Sequence, residues 1–127
     1  MTTRDFDLII YGASSFVGQI MTRYLAEHIG FSGTVKWAIA GRSSSKLNEL
    51  RASLGEVAAN LPIIIADADD ANALAKLCQS TRVIATTVGP YALYGEQMVK
   101  ACAENCTDYC DLCGEAYWIK RMIVKYA

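Results

Sequence analysis

Residues 7–25 read Asp-Leu-Ile-Ile-Tyr-Gly-Ala-Ser-Ser-Phe-Val-Gly-Gln-Ile-Met-Thr-Arg-Tyr-Leu, and this stretch decides the fold. An apolar run over residues 8–11 stops at Gly12, and Gly18 follows shortly after it. Beyond Ser15, apolar residues recur at helical spacing, namely Val17, Ile20, Met21, Tyr24 and Leu25. A strand, a glycine turn and a helix in this order predict the first βα unit of a dinucleotide-binding fold.

The loop between that strand and that helix predicts where a pyrophosphate binds. Gly12 permits a tight turn, Gly18 permits close packing of the helix on the strand, and a helix start attracts anions. Ser15 stands where the usual pattern has its middle glycine, and its hydroxyl either donates to a phosphate oxygen or caps the helix. The residues predicted to bind the cofactor here are Gly12, Ala13, Ser14, Ser15, Phe16, Val17 and Gly18.

Length and composition predict one domain with its own core. The chain has 127 residues, 53% of them hydrophobic, and a mean hydropathy of +0.19. No apolar stretch approaches the roughly 18 residues that a membrane span needs. Acidic residues near the N-terminus argue against a signal peptide. A net charge of -1 with interspersed signs gives no indication of nucleic-acid or membrane binding. We therefore expect a soluble, cytoplasmic domain.

Five cysteines raise the question of a metal or a disulfide. Their odd number argues against a disulfide framework. Cys110 and Cys113 have the two-residue gap of a zinc knuckle, but Cys102 falls on a predicted helix and Cys110 on a predicted strand. Ordinary packing of small side chains is favoured, so no metal site is predicted, and a zinc-stapled domain is the minor alternative.

The end of the second predicted strand, residues 35–40, bears on cofactor choice. A dinucleotide fold reads the adenosine ribose here, and an NAD-selective domain places Asp or Glu at this point. This chain offers Gly41, Arg42, Ser43 and Lys46 instead, with no acid before Glu49. A guanidinium pairs well with a 2′-phosphate, so these four residues predict NADP(H). They also suit a solvated helix start capped by Ser43 or Ser44; the two interpretations are compatible, and phosphate recognition is favoured.

The rest of the chain alternates between helix and strand patterns. Helices are predicted over residues 46–54, 71–79, 96–105 and 116–126, and strands over residues 61–66, 83–88 and 109–112. The strand at residues 61–66 has the continuous apolar character of a strand buried on both faces. The pattern predicts an α/β fold, a Rossmann-type doubly wound parallel sheet of about five strands with helices on both faces. Residues 1–127 then form one dinucleotide-binding domain.

Two later strand ends complete the predicted site. Asp67 and Ala68 follow the third strand at the level of the adenine, while Asp69 or Asp70 caps the next helix. After the fourth strand, the residues predicted to border the pyrophosphate and nicotinamide riboside are Val88, Gly89, Pro90 and Tyr91. Tyr91, Tyr94 and Glu96 are candidates for substrate contact, although packing and helix initiation are favoured for each.

Five blocks in order give the chain a family resemblance. They are 12–18 (Gly-Ala-Ser-Ser-Phe-Val-Gly), 40–43 (Ala-Gly-Arg-Ser), 66–69 (Ala-Asp-Ala-Asp), 88–91 (Val-Gly-Pro-Tyr) and 94–96 (Tyr-Gly-Glu). With them, the chain resembles the NADP-binding N-terminal domain of saccharopine dehydrogenase-like oxidoreductases, which include mycobacterial trans-acting enoyl reductases. The similarity runs over essentially the whole chain. Ser15, Cys106 and Cys113 depart from the family pattern.

The resemblance implies NADP(H)-dependent hydride transfer to a small-molecule substrate of unknown identity. It also implies a further C-terminal domain that shapes the substrate pocket and often mediates homodimerisation, and that domain is absent from this chain. No Tyr-x-x-x-Lys pair occurs, which disfavours a complete short-chain dehydrogenase site, and no catalytic residue is assigned. The alternative function is a non-catalytic dinucleotide-binding sensor or interaction module, because binding and hydride transfer share one fingerprint.

Overall fold

The computed structural model describes residues 4–127 and contains one sheet of five parallel strands. The first three residues of the N-terminal stretch, used above to argue against a signal peptide, lie outside that range. The strands are β1 (Phe6–Tyr11), β2 (Trp37–Gly41), β3 (Ile63–Ile65), β4 (Thr81–Thr86) and β5 (Asp108–Asp111). Their order in the sheet is β3-β2-β1-β4-β5, so the chain reverses its direction of winding between β1 and β4.

Helices connect consecutive strands, as parallel pairing requires. They are α1 (Phe16–His28), α2 (Ser44–Ser53), α3 (Ala71–Gln79), α4 (Tyr91–Tyr94), α5 (Glu96–Glu104) and α6 (Ala116–Tyr126), with a 3-10 turn at Glu56–Ala58. The predicted fold class, a doubly wound parallel sheet with helices on both faces, is confirmed. The predicted bounds of α3 and α6 are those of the structure.

The two faces of the sheet bury two separate cores. Ile9 of β1 belongs to one core together with Leu74 of α3 and Met98 of α5. Ile10, the next residue, belongs to the other core together with Leu25 of α1 and Leu47 of α2. Successive side chains of a strand point to opposite faces, so a continuous apolar strand is what a sheet covered on both sides requires.

The third strand differs from its prediction. It is three residues long instead of the predicted 61–66, and it pairs only with β2. Ile65 is 48% exposed, because β3 is the edge of the sheet and is not buried on both faces. The apolar run predicted a strand correctly, but composition alone does not distinguish an edge from a centre.

Other strand bounds and one helix also differ from the prediction. β2 begins at Trp37, two residues after the predicted start. β4 lies two residues earlier than predicted at both ends, and β5 lies one residue earlier. The short helix α4 was expected to be loop. Gly89–Pro90 is a cis peptide bond immediately before it.

The face that α1 turns toward the sheet overlaps the predicted apolar stripe only at Met21 and Leu25. Gly18, Thr22 and Leu25 are buried, whereas Val17, Ile20 and Tyr24 are substantially exposed. The Thr22 hydroxyl donates to the Gly18 carbonyl at 2.7 Å, which satisfies it inside the helix. The first part of this buried face consists of small residues, Gly18 and Thr22, so the start of the helix lies close to β1.

Two of the five cysteines pack as small buried side chains, whereas Cys106 and Cys110 are exposed and Cys113 is half-buried. Cys78 and Cys102 are buried between α3 and α5 with their sulfur atoms 3.5 Å apart, and all five cysteines are free thiols. Cys106, after α5, has a left-handed φ of 55°, a conformation easiest for glycine. Within residues 4–127, no group of three or more His, Cys, Asp or Glu side chains is arranged to hold a metal ion. Over the same range, no helix is both long enough and apolar enough to cross a bilayer.

Candidate functional site: a dinucleotide cleft

A cleft opens where the winding of the sheet reverses, outside the carboxyl ends of β1, β2 and β4. Its volume is about 360 Å³, which falls in the range of ligand pockets. In doubly wound sheets this switch point is where ligands bind. The lining residues are Tyr11, Gly12, Ser14, Ser15, Gly41, Arg42, Ser43, Lys46, Asp67, Ala68, Asp69, Thr87, Val88, Gly89 and Tyr94.

The turn after β1 requires glycine at both ends. Gly12 has a φ of +81°, and a Cβ there would lie 2.7 Å from Val88 Cγ2 and 2.8 Å from Thr87 Oγ1. At Gly18, a Cβ would overlap the Gly12 carbonyl and lie 2.7 Å from Ala13 Cα. Only glycine therefore fits at these two positions, and the backbone there carries no side chain. In dinucleotide-binding folds a pyrophosphate approaches the backbone at this point.

Ser15 caps α1. Its Oγ accepts the N–H of Gly18 at 3.0 Å, so the capping role allowed for by the sequence is confirmed. The same oxygen lies 3.0 Å from Thr87 Oγ1, across the cleft floor at the end of β4. Ser15 therefore caps α1 and also connects the loop after β1 to the residue after β4.

The side of the cleft formed by the end of β2 and the start of α2 is cationic. Arg42 and Lys46 line it with Gly41 and Ser43, at the end of β2 and the start of α2. Ser43 Oγ accepts the N–H of Lys46 at 3.3 Å, which settles the helix cap in favour of Ser43 over Ser44. The Arg42 side chain takes no part in this cap and is exposed at the cleft.

Carboxylates line the side of the cleft that follows β3. Asp67 accepts the N–H of Asp69 at 3.0 Å, forming a tight turn after β3, and both residues line the cleft. Asp70 instead accepts the N–H of Ala73 and is the N-cap of α3. The open choice between Asp69 and Asp70 as cap is therefore settled for Asp70.

Tyr11 lies at the end of β1 beside these carboxylates. Its hydroxyl donates to the Ala66 carbonyl at 2.9 Å and is buried. Burial, with a smaller contribution from Asp67, raises the pKa of Tyr11 to about 12. The phenol therefore stays protonated at neutral pH and joins the ends of β1 and β3.

The structure brings eleven of the seventeen predicted cofactor-binding residues into the cleft lining. The other six are Ala13, Phe16, Val17, Gly18, Pro90 and Tyr91. Ala13 and Gly18 are buried and pack against each other beneath the turn, so they do not line the cleft. Phe16 is 81% exposed and Val17 is 42% exposed, because α1 turns its small-residue face toward the sheet. Neither residue lines the cleft, and cofactor binding by them stays a prediction.

Tyr91 also departs from its predicted place. Its side chain is 7% exposed and packs on Trp118 of α6, with ring centroids 5.6 Å apart. Its hydroxyl donates to the Thr86 carbonyl at 3.1 Å and accepts the Leu112 N–H at 3.3 Å. The packing alternative therefore describes Tyr91, and neither its ring nor Pro90 lines the cleft.

Sequence analysis missed three lining residues, Tyr11, Asp69 and Thr87, and treated Tyr94 only as a candidate substrate contact. Tyr11 and Thr87 had a usable signal, since each is a polar side chain at the carboxyl end of a central strand. Tyr94 is 49% exposed and lines the cleft. Glu96, by contrast, joins α5 to α6, because it accepts from Lys125 at 2.6 Å and from Tyr126 at 2.8 Å.

Glu115 fixes the loop that leads from β4 into α4. One carboxylate oxygen accepts the Tyr91 N–H at 2.6 Å, and the other accepts the Ala92 N–H at 3.0 Å. Hydrogen bonds from Ala92 and then Tyr91 lower the pKa of Glu115. The carboxylate thus holds the start of α4 from the segment between β5 and α6.

We expect Glu115→Gln to reveal this contact as a pH-dependent loss of stability. Because the folded-state pKa is lowered, the carboxylate stabilises the fold above its unfolded pKa of about 4.3. That contribution is lost as the pH falls through the lower, folded-state pKa. The free energy of unfolding should therefore be lower in the variant at pH 7, with the difference closing in acid. A difference that is constant with pH would contradict the assignment.

A family model decides where the chain belongs. The model described as saccharopine dehydrogenase NADP binding domain matches residues 8–127, from β1 to the end of α6. The chain belongs to this family. It is thus an NADP-binding domain of an oxidoreductase family, and the cofactor expectation and the resemblance are both confirmed.

Similar proteins agree with that placement. The trans-acting enoyl reductase of Mycobacterium bovis is 44% identical over 124 residues, covering 97% of this chain and 29% of the relative. The trans-acting enoyl reductase of Mycobacterium leprae is 43% identical over 121 residues, covering 94% and 28% respectively. The chain therefore spans less than a third of the length of these curated relatives.

Solved structures support the fold. Apo saccharopine dehydrogenase (L-Glu forming) from Saccharomyces cerevisiae superposes with a TM-score of 0.69 at 20% identity, over 95% of this chain and 25% of that one. A wide-type short-chain dehydrogenase/reductase from Veillonella parvula in complex with NADP gives 0.63 at 15% identity, over 84% and 46%. At these identities the likeness concerns architecture alone.

Proposed function

We propose that this chain binds NADP(H) in the cleft described above and positions the nicotinamide for hydride transfer within a larger oxidoreductase. The observation that carries the proposal is the meeting of a bare glycine turn with Arg42, Ser43 and Lys46 in one cleft. No carboxylate from the end of β2 lines that cleft, so the ribose side favours a 2′-phosphate over a 2′-hydroxyl.

The lining residues fit each part of such a cofactor. The bare backbone at Gly12, with the helix start at Ser15, suits the pyrophosphate. Arg42 and Lys46 suit the 2′-phosphate, and Asp67 with Ala68 suits the adenine edge. Val88 and Gly89 border the nicotinamide side. When bound, NADPH supplies the hydride, and the chain supplies orientation and electrostatics.

The acid or base of the reaction is proposed to come from outside the described residues. Between β4 and α5, Tyr94 is the one titratable side chain in the described cleft lining. Tyr91 is buried in packing, and Glu115 is occupied by two backbone N–H groups. A further domain, like that implied by the length of the relatives, would complete the substrate pocket and mediate homodimerisation.

The substrate class follows from the relatives and belongs to this proposal. Their names denote reduction of an enoyl group or oxidation of saccharopine, so we propose a small molecule with a conjugated double bond or an imine. We also propose a cytoplasmic location. The 127-residue chain alone should oxidise NADPH negligibly with compounds of either class. Fast turnover by this chain would contradict the need for another domain.

Calorimetric titration of the chain with NADPH and, separately, with NADH tests the binding proposal. We expect a clear preference for NADPH. Equal affinity for both cofactors would remove the role given to the ribose side, and absence of binding would contradict the site itself. Tight binding with no hydride transfer in a full-length relative would favour the alternative, a dinucleotide-binding sensor or interaction module.

A further inference from the structure

A chain of hydroxyl groups crosses the floor of the cleft. Thr87, one residue after β4, places its Oγ1 2.8 Å from the Gly12 carbonyl and 3.0 Å from Ser15 Oγ. Its backbone N–H also donates to the Tyr11 carbonyl at 3.0 Å, which fixes the residue beside the turn. Thr87 thus contacts both the start and the middle of the glycine loop.

The number of hydroxyl protons fixes the direction of each hydrogen bond in this series. A carbonyl oxygen has no proton, so the Thr87 hydroxyl donates to Gly12, and its single proton is then used. Across the 3.0 Å contact, Ser15 must therefore be the donor and Thr87 the acceptor. Ser15 Oγ in turn accepts the N–H of Gly18. One directed chain runs from Gly18 through Ser15 and Thr87 to Gly12.

This arrangement explains how a serine is accommodated at the middle glycine position. The Ser15 N–H also donates to the Gly12 carbonyl at 3.1 Å, so that carbonyl receives two donors. Without Thr87, the carbonyl loses one donor and the Ser15 hydroxyl loses the acceptor that orients it. The loop would keep its glycines but lose two of the hydrogen bonds that hold its shape.

We propose that Thr87 is a positioning residue for the pyrophosphate loop, acting through Gly12 and Ser15. The inference rests on the proposed function, because it assigns a role within the same cleft. Thr87 fixes the loop in the conformation that receives a pyrophosphate. Its effect is therefore confined to ligands that contain this group, and the 2′-phosphate pocket at Arg42 lies outside it.

The test compares two ligands on the 127-residue chain by calorimetry. NADPH contains both the pyrophosphate and the 2′-phosphate, whereas adenosine 2′-monophosphate contains only the latter. Thr87→Val removes the hydroxyl at nearly constant shape. We expect it to weaken NADPH binding about tenfold and to change binding of adenosine 2′-monophosphate less than about twofold. Thr87→Ser keeps the hydroxyl and should stay within about threefold of the wild type for both ligands.

Ser15→Gly supplies a second, independent variant. Glycine caps a helix almost as well as serine, so the Ser15→Gly variant should fold even if the Thr87→Val variant does not. We expect it to weaken NADPH binding about threefold without changing binding of adenosine 2′-monophosphate. In the double variant the two losses of NADPH affinity should not add, because the two hydroxyls are coupled by one hydrogen bond.

Three outcomes would overturn the inference. NADPH binding unchanged in either Thr87→Val or Ser15→Gly is one, and an equal loss for both ligands, which general structural damage produces, is another. Additive losses in the double variant are the third. A wild-type chain that binds neither ligand would instead overturn the proposed function, so the two failures are distinguishable.

Discussion

Arg42→Ala should weaken NADPH binding about 10- to 100-fold and leave NADH binding within about threefold of the wild type. Hydrogen bonds to a charged group contribute about 1.5–3 kcal/mol, and each 1.4 kcal/mol is about tenfold in affinity. Only NADPH has the 2′-phosphate that we propose the Arg42 guanidinium binds. Titration of wild type and variant with both cofactors measures the change.

Arg82→Ala is the matched control for Arg42→Ala. Arg82 is also an exposed arginine, but it lies at the amino end of β4, near Asp7 at 4.0 Å. Its loss changes the net charge equally and should not change the preference for NADPH. If both variants lose NADPH affinity by the same factor, long-range charge explains the effect and the local role of Arg42 is wrong.

Gly18→Ala should destabilise the fold by about 3 kcal/mol, although glycine to alanine inside a helix normally stabilises by about 1 kcal/mol. The sign is reversed because a Cβ at this position would overlap the Gly12 carbonyl and lie 2.7 Å from Ala13 Cα. These are backbone atoms, which cannot move aside as a flexible side chain does. Denaturant unfolding of wild type and variant gives the difference in free energy of unfolding.

Gly114→Ala is the control for the packing argument. A Cβ at Gly114 would meet no atom within 4 Å, so this variant should stay close to the wild type in stability. Gly18→Ala should also lose NADPH binding, because the turn must open to admit the methyl group. A stabilised Gly18→Ala chain that still binds NADPH would contradict the close packing of α1 on β1.

Local patterns predicted most of the fold. The alternation of apolar runs with helical spacing was sufficient for five parallel strands, because each pattern is set by the period of its own element. Capping was also readable, as Ser43 and Asp70 show. The sequence did not show that β3 is an edge strand. Edge position depends on which strands pair, which is a property of the whole sheet.

The site was predicted less completely than the fold. Sequence spacing placed Gly12, Ser15 and Arg42 in the cleft, because strand ends in a parallel sheet meet at one edge. The role of Thr87 depends on a distance between residues 72 positions apart, and no local pattern reports such a distance. Tyr91 was misplaced for a similar reason, since its partner Trp118 is remote in sequence.

The central claim is that NADP(H) binds where the winding of the sheet reverses. Amide NMR of the labelled chain during titration with NADPH tests it most directly. The account predicts shifts concentrated at residues 12–18, 41–46, 67–69 and 87–89. A second cavity of about 290 Å³ lies near the amino ends of β1 and β2, lined by Phe31, Trp37 and Val57 among others. Shifts centred on that cavity, with none at the glycine turn, would contradict the account.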